Sequence, residues 1–415
     1  MKPPSELQKP EIINFGCRLN IAEAATAHAA APAGSIVVNS CAVTAEAVRQ
    51  ARQAVRRAHR EQPDANIIVT GCAAQLDPAG FAALPGVAMV LGNREKLDAA
   101  RYDLAGANDR ARVGDIFSVR DAPLAVSDSV SHTRGFVAVQ NGCDHRCTFC
   151  VIPLARGVSR SVPAGAVIER IKQLVGQGVN EIVLTGVDLT SYGPDLPGAP
   201  TLGLLVQRIL QHVPDLPRLR LSSIDSIEVD AALFDALATE ARLMPQLHLS
   251  LQSGDDLILK RMKRRHARAQ AVEFCQSLRA RRPEMVFGAD LIAGFPTETD
   301  AAFENTLALV DDCWLTRLHV FAYSERDGTP AARMPQLPVS VRRDRAARLR
   351  ALGAERQRDW LGSQVGRPQR VLVEAGGLTG HAESFARVRL DRAHPRGAIV
   401  DVTAHHVAGD LLECA

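Results

Sequence analysis

The chain of 415 residues is 46% hydrophobic and 23% charged, with a net charge of +3, and is long enough for two or three domains with sizeable cores. No apolar run approaches the ~20 residues of a membrane span, and nine cysteines in a chain of this length do not make a disulfide scaffold. With so small a net charge, nucleic-acid binding has to be argued from local patches.

The N-terminal stretch MKPPSELQKPEI lacks an apolar signal segment, so a cytoplasmic protein is expected, its cysteines serving as metal ligands or core residues. Residues 11–15, 35–39 and 66–70 read as short buried strands, and each runs into a cysteine: Cys17, Cys41 and Cys72. Helical patterns separate them, such as the Ala- and Arg-rich 45–60. This alternation predicts an α/β domain with a doubly wound parallel sheet, whose strands all end along one edge, where ligands bind. Three cysteines just beyond three parallel strands can converge there. They are either small buried residues at strand–helix turns or a set of metal ligands. A dinucleotide site is disfavoured, because none of these turns carries GxGxxG.

A loop-like stretch from about 115 to 133 reads as a linker. Beyond it, NGCDHRCTFC (141–150) places Cys143, Cys147 and Cys150 within eight residues. Soft thiolates at this spacing hold zinc or an iron–sulfur cluster. A closed zinc site wants four ligands, its cysteines usually in two close pairs, and no fourth cysteine or well-spaced histidine pair is near. Three thiolates on a four-iron cube leave one iron open, which reductive cleavage of S-adenosylmethionine (SAM) requires. A partial zinc site or buried thiols is the alternative. His145, inside the loop, is expected to be solvated.

Candidate strands then recur at 136–140, 181–185, 218–222, 246–251, 286–292 and 317–323, with helices between. Six βα units are too few for a closed eight-stranded barrel. They predict an open, partial (βα)6 barrel with function at the C-terminal strand ends. Arg156 and Arg160, just past the cysteine loop, can pair with carboxylate or phosphate. His319 reads as a core or barrel-mouth histidine. Two basic stretches, 260–268 and 341–370, can neutralise phosphates, although a charge run is more often a solvated helix face. From about 366, short strands broken by Gly-Gly and Pro-Arg-Gly turns predict a small all-β, OB-like barrel, a shape used on single-stranded RNA. His405 and His406, adjacent on a strand, point to opposite faces. Cys275, Cys313 and Cys414 show no ligand spacing and read as core residues.

The CxxxCxxC loop with an aromatic, Phe149, before its last cysteine resembles that of the radical SAM superfamily. FGCRLN (15–20), VVNSCAVT (37–44) and VTGCAAQ (69–75), with QNGCDHRCTFCVIPLARG (140–157), resemble the methylthiotransferases of that superfamily, and the match spans nearly the whole chain. The resemblance implies a methylthiotransferase domain at 10–112, a linker at 113–133, a radical SAM partial barrel at 134–360 and a TRAM-like RNA-binding β module at 361–415. It implies SAM and two 4Fe-4S clusters. One, on Cys143, Cys147 and Cys150, would reduce SAM to methionine and a 5′-deoxyadenosyl radical; the other, on Cys17, Cys41 and Cys72, would hold the sulfur to be inserted. Phe149, Gly186, Ser250, Gln252, Asp290 and Gly294 match positions that contact SAM: Gly186 beside its methionine amine, Ser250 and Gln252 for ribose or carboxylate, Asp290 and Gly294 near the adenine.

GCRLN, ILKRMKRRHAR (258–268), GADLIAGFPTET (288–299) and LHVFAYSERDGTPAARMPQ (318–336) most resemble the branch that modifies N6-threonylcarbamoyladenosine in tRNA. The implied product is the 2-methylthio derivative at position 37, beside the anticodon. Implied partners are the tRNA anticodon loop, a reductase such as flavodoxin or ferredoxin, and a sulfur donor that the sequence does not name; no membrane is implied. The alternatives are thiolation of isopentenyladenosine in tRNA or of a ribosomal-protein aspartate. An alternative of a different class is a non-catalytic iron–sulfur RNA-binding protein.

Overall fold

The computed structural model describes residues 9–104, 109–127 and 133–415. Strands β1 (Glu11–Asn14), β2 (Ile36–Ser40), β3 (Ile67–Gly71), β4 (Val87–Leu91) and β5 (Ala111–Arg112) form a parallel sheet in consecutive order. β2 and β3 are buried along their whole length, because helices cover both faces. On one face α1 (Arg18–Ala30) sets Ala27 against Val37, Ile68 and Met89; on the other α2 (Ala45–Glu61) sets Ala51, Val55 and Ala58 against Ile36, Val38 and Val69. α2 starts where the Thr44 hydroxyl accepts from the Ala47 N–H at 3.1 Å. α3 (Cys72–Leu76) and α4 (Pro78–Ala82) follow β3 directly. The strand order never reverses, so the C-terminal strand ends form one continuous edge.

Of the expected linker, residues 128–132 lie outside the described residues. Before them β6 (Ala125–Val126) pairs antiparallel with β7 (Gly135–Ala138), adding an edge strand to the central unit. β8 (Gln140–Asn141) and β9 (Arg160–Ser161) pair at the base of the cysteine loop, which carries the short α5 (Ile152–Arg156). Strand and helix then alternate. The helices are α6 (Ala164–Gly176), α7 (Leu202–His212), α8 (Ala231–Thr239), α9 (Asp256–Met262), α10 (Arg268–Arg281), α11 (Asp300–Asp312) and α12 (Val339–Gly362). The strands are β10 (Glu181–Thr185), β11 (Arg218–Leu221), β12 (Ser223–Ile224), β13 (Gln246–Gln252), β14 (Val286–Ala293) and β15 (Leu315–Ala322).

Hydrogen bonds order one sheet β11-β10-β7-β6 and the other β12-β13-β14-β15. β11 and β12 are one strand interrupted at Ser222, which leaves six parallel positions in an open arc, as the repeat of βα units predicts. Period-2 alternation divides its faces. Val137, Ile182, Leu184, Leu219, Leu247, Leu249, Phe287 and Ala289 pack outward against the helices. The concave face carries Glu181, Arg218, Arg220, His248, Asp290, Arg317 and His319 instead, and Leu19 and Ala22 of α1 cover part of it against Phe136, Ala138 and Val183.

The tail closes into a barrel of β16 (Pro368–Val373), β17 (Thr379–Ala382), β18 (Arg387–Leu390), β19 (Ile399–Ala408) and β20 (Leu411–Cys414), in ring order β16-β17-β18-β20-β19. Val371, Val388, Ala404 and Leu412 fill it. Arginines of the larger barrel tether it through backbone carbonyls: Arg218 Nη2 donates to Arg370 O at 2.9 Å, Arg220 Nη1 to Glu383 O at 3.1 Å and Arg317 Nη1 to Phe385 O at 2.8 Å. Charged donors to carbonyls make strong tethers.

Candidate active site

The edge of the N-terminal sheet brings Cys17, Cys41 and Cys72 together. Cys17 is the residue before α1, and Cys72 is the first residue of α3, so both thiols sit at helix N-termini. Gly16, at φ +97°, lies so close to Cys41 that a Cβ would stand 3.0 Å from its Sγ. Burial pushes the Cys41 thiol up to about 11, and the neighbouring Cys72 and Cys17 push the same way.

Cys72 is held from the opposite side. Arg156 Nε points at its Sγ from 3.2 Å and Asn93 Nδ2 from 3.7 Å. Arg156 also forks onto Glu23, Nη1 to Oε1 at 2.7 Å and Nη2 to Oε2 at 2.9 Å, and donates to Asn20 Oδ1 at 2.7 Å. Lys96 Nζ reaches the same carboxylate at 2.6 Å. Burial alone would raise the Glu23 carboxyl, but Arg156 and Lys96 bring it down to about 2. Two cations against one carboxylate leave one buried positive charge beside Cys72. A set of three thiols facing that surplus charge suits a cluster bound through thiolates.

In the loop, Gly142 at φ +74° lets β8 close on β9: a Cβ there would lie 1.8 Å from Val158 O. Ile152 N–H donates to Cys150 Sγ at 3.4 Å, and Arg264 Nη1 to Cys147 Sγ at 3.7 Å. Arg264 is itself held by Ser250 O at 2.7 Å and by Asp225. Burial raises Cys143, helped by Asp188, and pushes Cys150 up to about 12. Cys147 moves down despite burial, because His145 and Arg264 stand beside it. The expectation of a solvated His145 is corrected: the residue is buried, its Nε2 2.9 Å from Asp188 and 3.2 Å from Glu228. The nearby Asp188, Cys147 and Glu228 raise it to about 11, which favours the imidazolium between the two carboxylates.

The two triplets adjoin. Cys150 and Cys72 are close enough to interact electrostatically, and α5 carries Arg156 from the loop onto Cys72. Arg156 thus pairs with a carboxylate, as its sequence position allowed, whereas Arg160 turns back onto the carbonyls of Arg156 and Val158.

The residues expected to contact SAM lie along the upper concave face. Phe149 packs edge-on to Phe295, ring centres 6.5 Å apart, beside Ile292 and Tyr323. The close neighbour of Gly186 is Gln140, whose Oε1 accepts from Val187 and Asp188 N–H at 2.9 Å each. Ser250 O is engaged by Arg264, and Gln252 sits at φ +69°, where the pairing of β13 shifts register. Gly294, at φ +75°, lies against Arg342, with its N–H donating to Glu298 at 2.8 Å. Asp290 lies deeper, joined to His248 at 2.9 Å and to His319 at 3.2 Å.

Sequence reasoning missed Glu23, Lys96, Asn93, Asp188 and Arg264. Only Asp188, in TGVD at a strand end, carried a local signal. The basic stretch 260–268 is largely used inside the fold: Arg261 donates to Thr297, Arg264 pairs with Asp225, Arg265 with Glu228 and Arg268 with Asp312. In α12, Arg342, Arg345, Arg348 and Arg356 pair with Glu325, Glu298, Glu304 and Asp311.

Comparison with known proteins gives a consistent picture. Residues 137–310 match the Radical SAM superfamily and residues 9–92 match Uncharacterized protein family UPF0004. The chain is 47% identical to the threonylcarbamoyladenosine tRNA methylthiotransferase MtaB of Rickettsia prowazekii, over 98% of this chain and 97% of that protein. It is 35% identical to the Thermotoga maritima protein of the same name, over 91% and 90%. It is 34% identical to the tRNA-2-methylthio-N(6)-dimethylallyladenosine synthase of Erythrobacter litoralis, over 91% and 89%. Among solved structures, the radical SAM methyltransferase TsrM of Kitasatospora setae superposes with a TM-score of 0.54 at 16% identity, over 75% of this chain and 66% of that one, a likeness of fold.

Proposed function

The chain belongs to the radical SAM methylthiotransferases, and from that premise we propose that it adds a methylthio group to C2 of N6-threonylcarbamoyladenosine at position 37 of tRNA, beside the anticodon. Cys143, Cys147 and Cys150 would hold one 4Fe-4S cluster, with an iron left for SAM, and Cys17, Cys41 and Cys72 the other. When bound, these groups supply one-electron cleavage of SAM and the sulfur to be inserted, chemistry needed because the C2–H of adenine is not acidic enough for a protein base. The observation that supports the reading is that Cys150 of the loop lies within electrostatic reach of Cys72 and that the helix after the loop carries Arg156 onto Cys72.

The chain's own residues do the holding. Arg156 and Asn93 donate to Cys72 of the first triplet, with Lys96 behind Arg156 on Glu23, and Arg264 and the Ile152 N–H donate to the second. Phe149, Gly186, Ser250, Gln252, Asp290 and Gly294 are proposed to line the SAM site. Residues 10–112, 113–133, 134–360 and 361–415 are proposed as auxiliary-cluster domain, linker, SAM barrel and RNA-binding module. The anticodon loop would be the bound part of the tRNA, with a flavodoxin- or ferredoxin-type reductase as electron source. No helix of the described residues is long and apolar enough to cross a membrane, and the proposed site of action is the cytoplasm.

Mass spectrometry of tRNA nucleosides from cells with and without the gene checks the reading. Loss of 2-methylthio-N6-threonylcarbamoyladenosine is expected on deletion. Loss of the isopentenyl analogue instead would move the enzyme to the other tRNA branch, and unchanged tRNA would point to a ribosomal protein.

A further inference from the structure

We propose that Arg18, with the arginines around it, forms a carboxylate-binding subsite on the concave face of the barrel, and that this subsite takes the threonyl carboxylate of the substrate nucleoside. The proposal rests on the substrate reading given above. Arg18 follows Cys17 directly, so its side chain starts at the auxiliary thiols and runs down the concave face. Its guanidinium carbon stops 5.3 Å from the centre of the Phe385 ring, with those of Arg134, Arg220 and Arg317 at 5.2, 4.7 and 5.4 Å.

These neighbours are anchored and Arg18 is not. Arg134 and Arg220 share Glu181, at 2.8 and 3.0 Å; Arg134 also holds Glu374; Arg218 and Arg317 donate to backbone carbonyls. Among the described residues, no carboxylate, carbonyl or hydroxyl accepts a hydrogen bond from Arg18, which is partly buried. Arg134 Nη2 and Arg218 Nε are buried donors that also have no acceptor. Of the five guanidiniums gathered here, Arg134, Arg218 and Arg220 share Glu181 and Arg134 also holds Glu374, with Glu383 at the rim 4.0 Å from Arg218 and closer to Arg370, and Asp410 on the side of Arg317. Glu374 is further shared with His381. A partly buried surplus of positive charge that includes buried, unused donors is costly until an anion completes it.

The reaction geometry indicates which anion. The carbon to be thiolated has to lie at the auxiliary thiols. In adenine, C2 and the N6-bearing carbon sit on either side of N1, so an N6 substituent is carried away from the thiols, along the face that Arg18 lines. A threonylcarbamoyl group ends in a carboxylate, which matches the guanidinium fork. Phe385 and the C-terminal barrel lie beneath Arg18 on this face.

The assay is anaerobic turnover by the full-length protein with both clusters reconstituted. The substrates are an anticodon stem-loop carrying N6-threonylcarbamoyladenosine and one carrying the neutral amide of the same group. The wild type is expected to prefer the acid by roughly 10- to 100-fold in kcat/KM, the advantage of a charge-assisted hydrogen bond over a neutral one. R18Q should lose most of that preference through a selective loss on the acid, and R18K should recover part of it. A wild type that turns over acid and amide equally, or an R18Q that loses both to the same extent, overturns the subsite. The acid–amide comparison in the wild type needs no variant, so a folding defect in R18Q cannot hide the answer. Wild-type protein that cleaves SAM but thiolates neither substrate overturns the substrate reading and the subsite together, an outcome distinct from equal turnover of both.

Discussion

Replacing Glu23 with Gln tests the charge balance at the auxiliary thiols. The carboxylate is fully buried and contacts Arg156 twice and Lys96 once. A fall from an ordinary 4.5 to about 2 corresponds, at about 1.4 kcal/mol per pH unit, to about 3 kcal/mol of folded-state preference for the ionised form. That figure agrees with the cost of breaking a buried ion pair from one side, roughly 3–5 kcal/mol. Because the folded value lies below the unfolded one, this stability is complete above about 4.5 and fades as pH drops toward 2. In urea unfolding at neutral pH, followed together by far-UV dichroism and cluster absorbance, E23Q should be about 3 kcal/mol less stable than wild type. Its deficit should also shrink as the wild type is acidified. Adding Lys96→Met to E23Q brings the buried surplus back to one positive charge, as in the wild type, so the double variant should be more stable than E23Q. A deficit below about 0.5 kcal/mol, or a double variant whose losses simply add, refutes the reasoning.

Gly142→Ala puts a Cβ 1.8 Å from the Val158 carbonyl at a φ of +74°, and should cost about 2 kcal/mol or more locally. Iron and sulfide analysis after reconstitution should then show one cluster's worth of each in place of two. Cys72→Ala should abolish thiolation while 5′-deoxyadenosine formation from SAM stays measurable, so loss of that formation at full content of the other cluster would contradict the division of labour. Phe385→Ala removes the ring around which four guanidiniums gather and should loosen the C-terminal barrel by about 2 kcal/mol, read as faster proteolysis between 361 and 368. Arg356→Ala breaks an exposed pair with Asp311 and should change stability by less than about 1 kcal/mol, a contrast with Glu23 that depends only on burial.

The architecture was legible because its signals are local. A strand buried on both faces has to be a run of β-branched and apolar residues, as in 36–40 and 67–71, and a turn into a helix has to follow each. The cysteine loop reads from spacing alone, since its three thiols share one turn of chain. His145 misled because its partners, Asp188 and Glu228, come from two other strand ends, and no window around the loop contains them. The basic run 260–268 hides the same kind of partner: three of its charges pair with Asp225 and Glu228 of one turn and with Asp312 of α11.

By itself, then, the sequence determined the order of strands and helices, the two sets of three thiols and the chemical class those sets allow, each a property of residue type and short spacing. Tertiary structure alone decided that the sets adjoin and what surrounds them. Arg156 meets Glu23 across 133 residues of chain, Lys96 arrives from a turn after β4, and Arg18 meets Phe385 only because the small barrel docks beneath the larger one. Inside an alanine-rich helix, Arg18 and Glu23 look like ordinary surface charges. Burial makes their pairing, or the lack of it, matter, and burial is fixed by packing between segments that no local pattern connects.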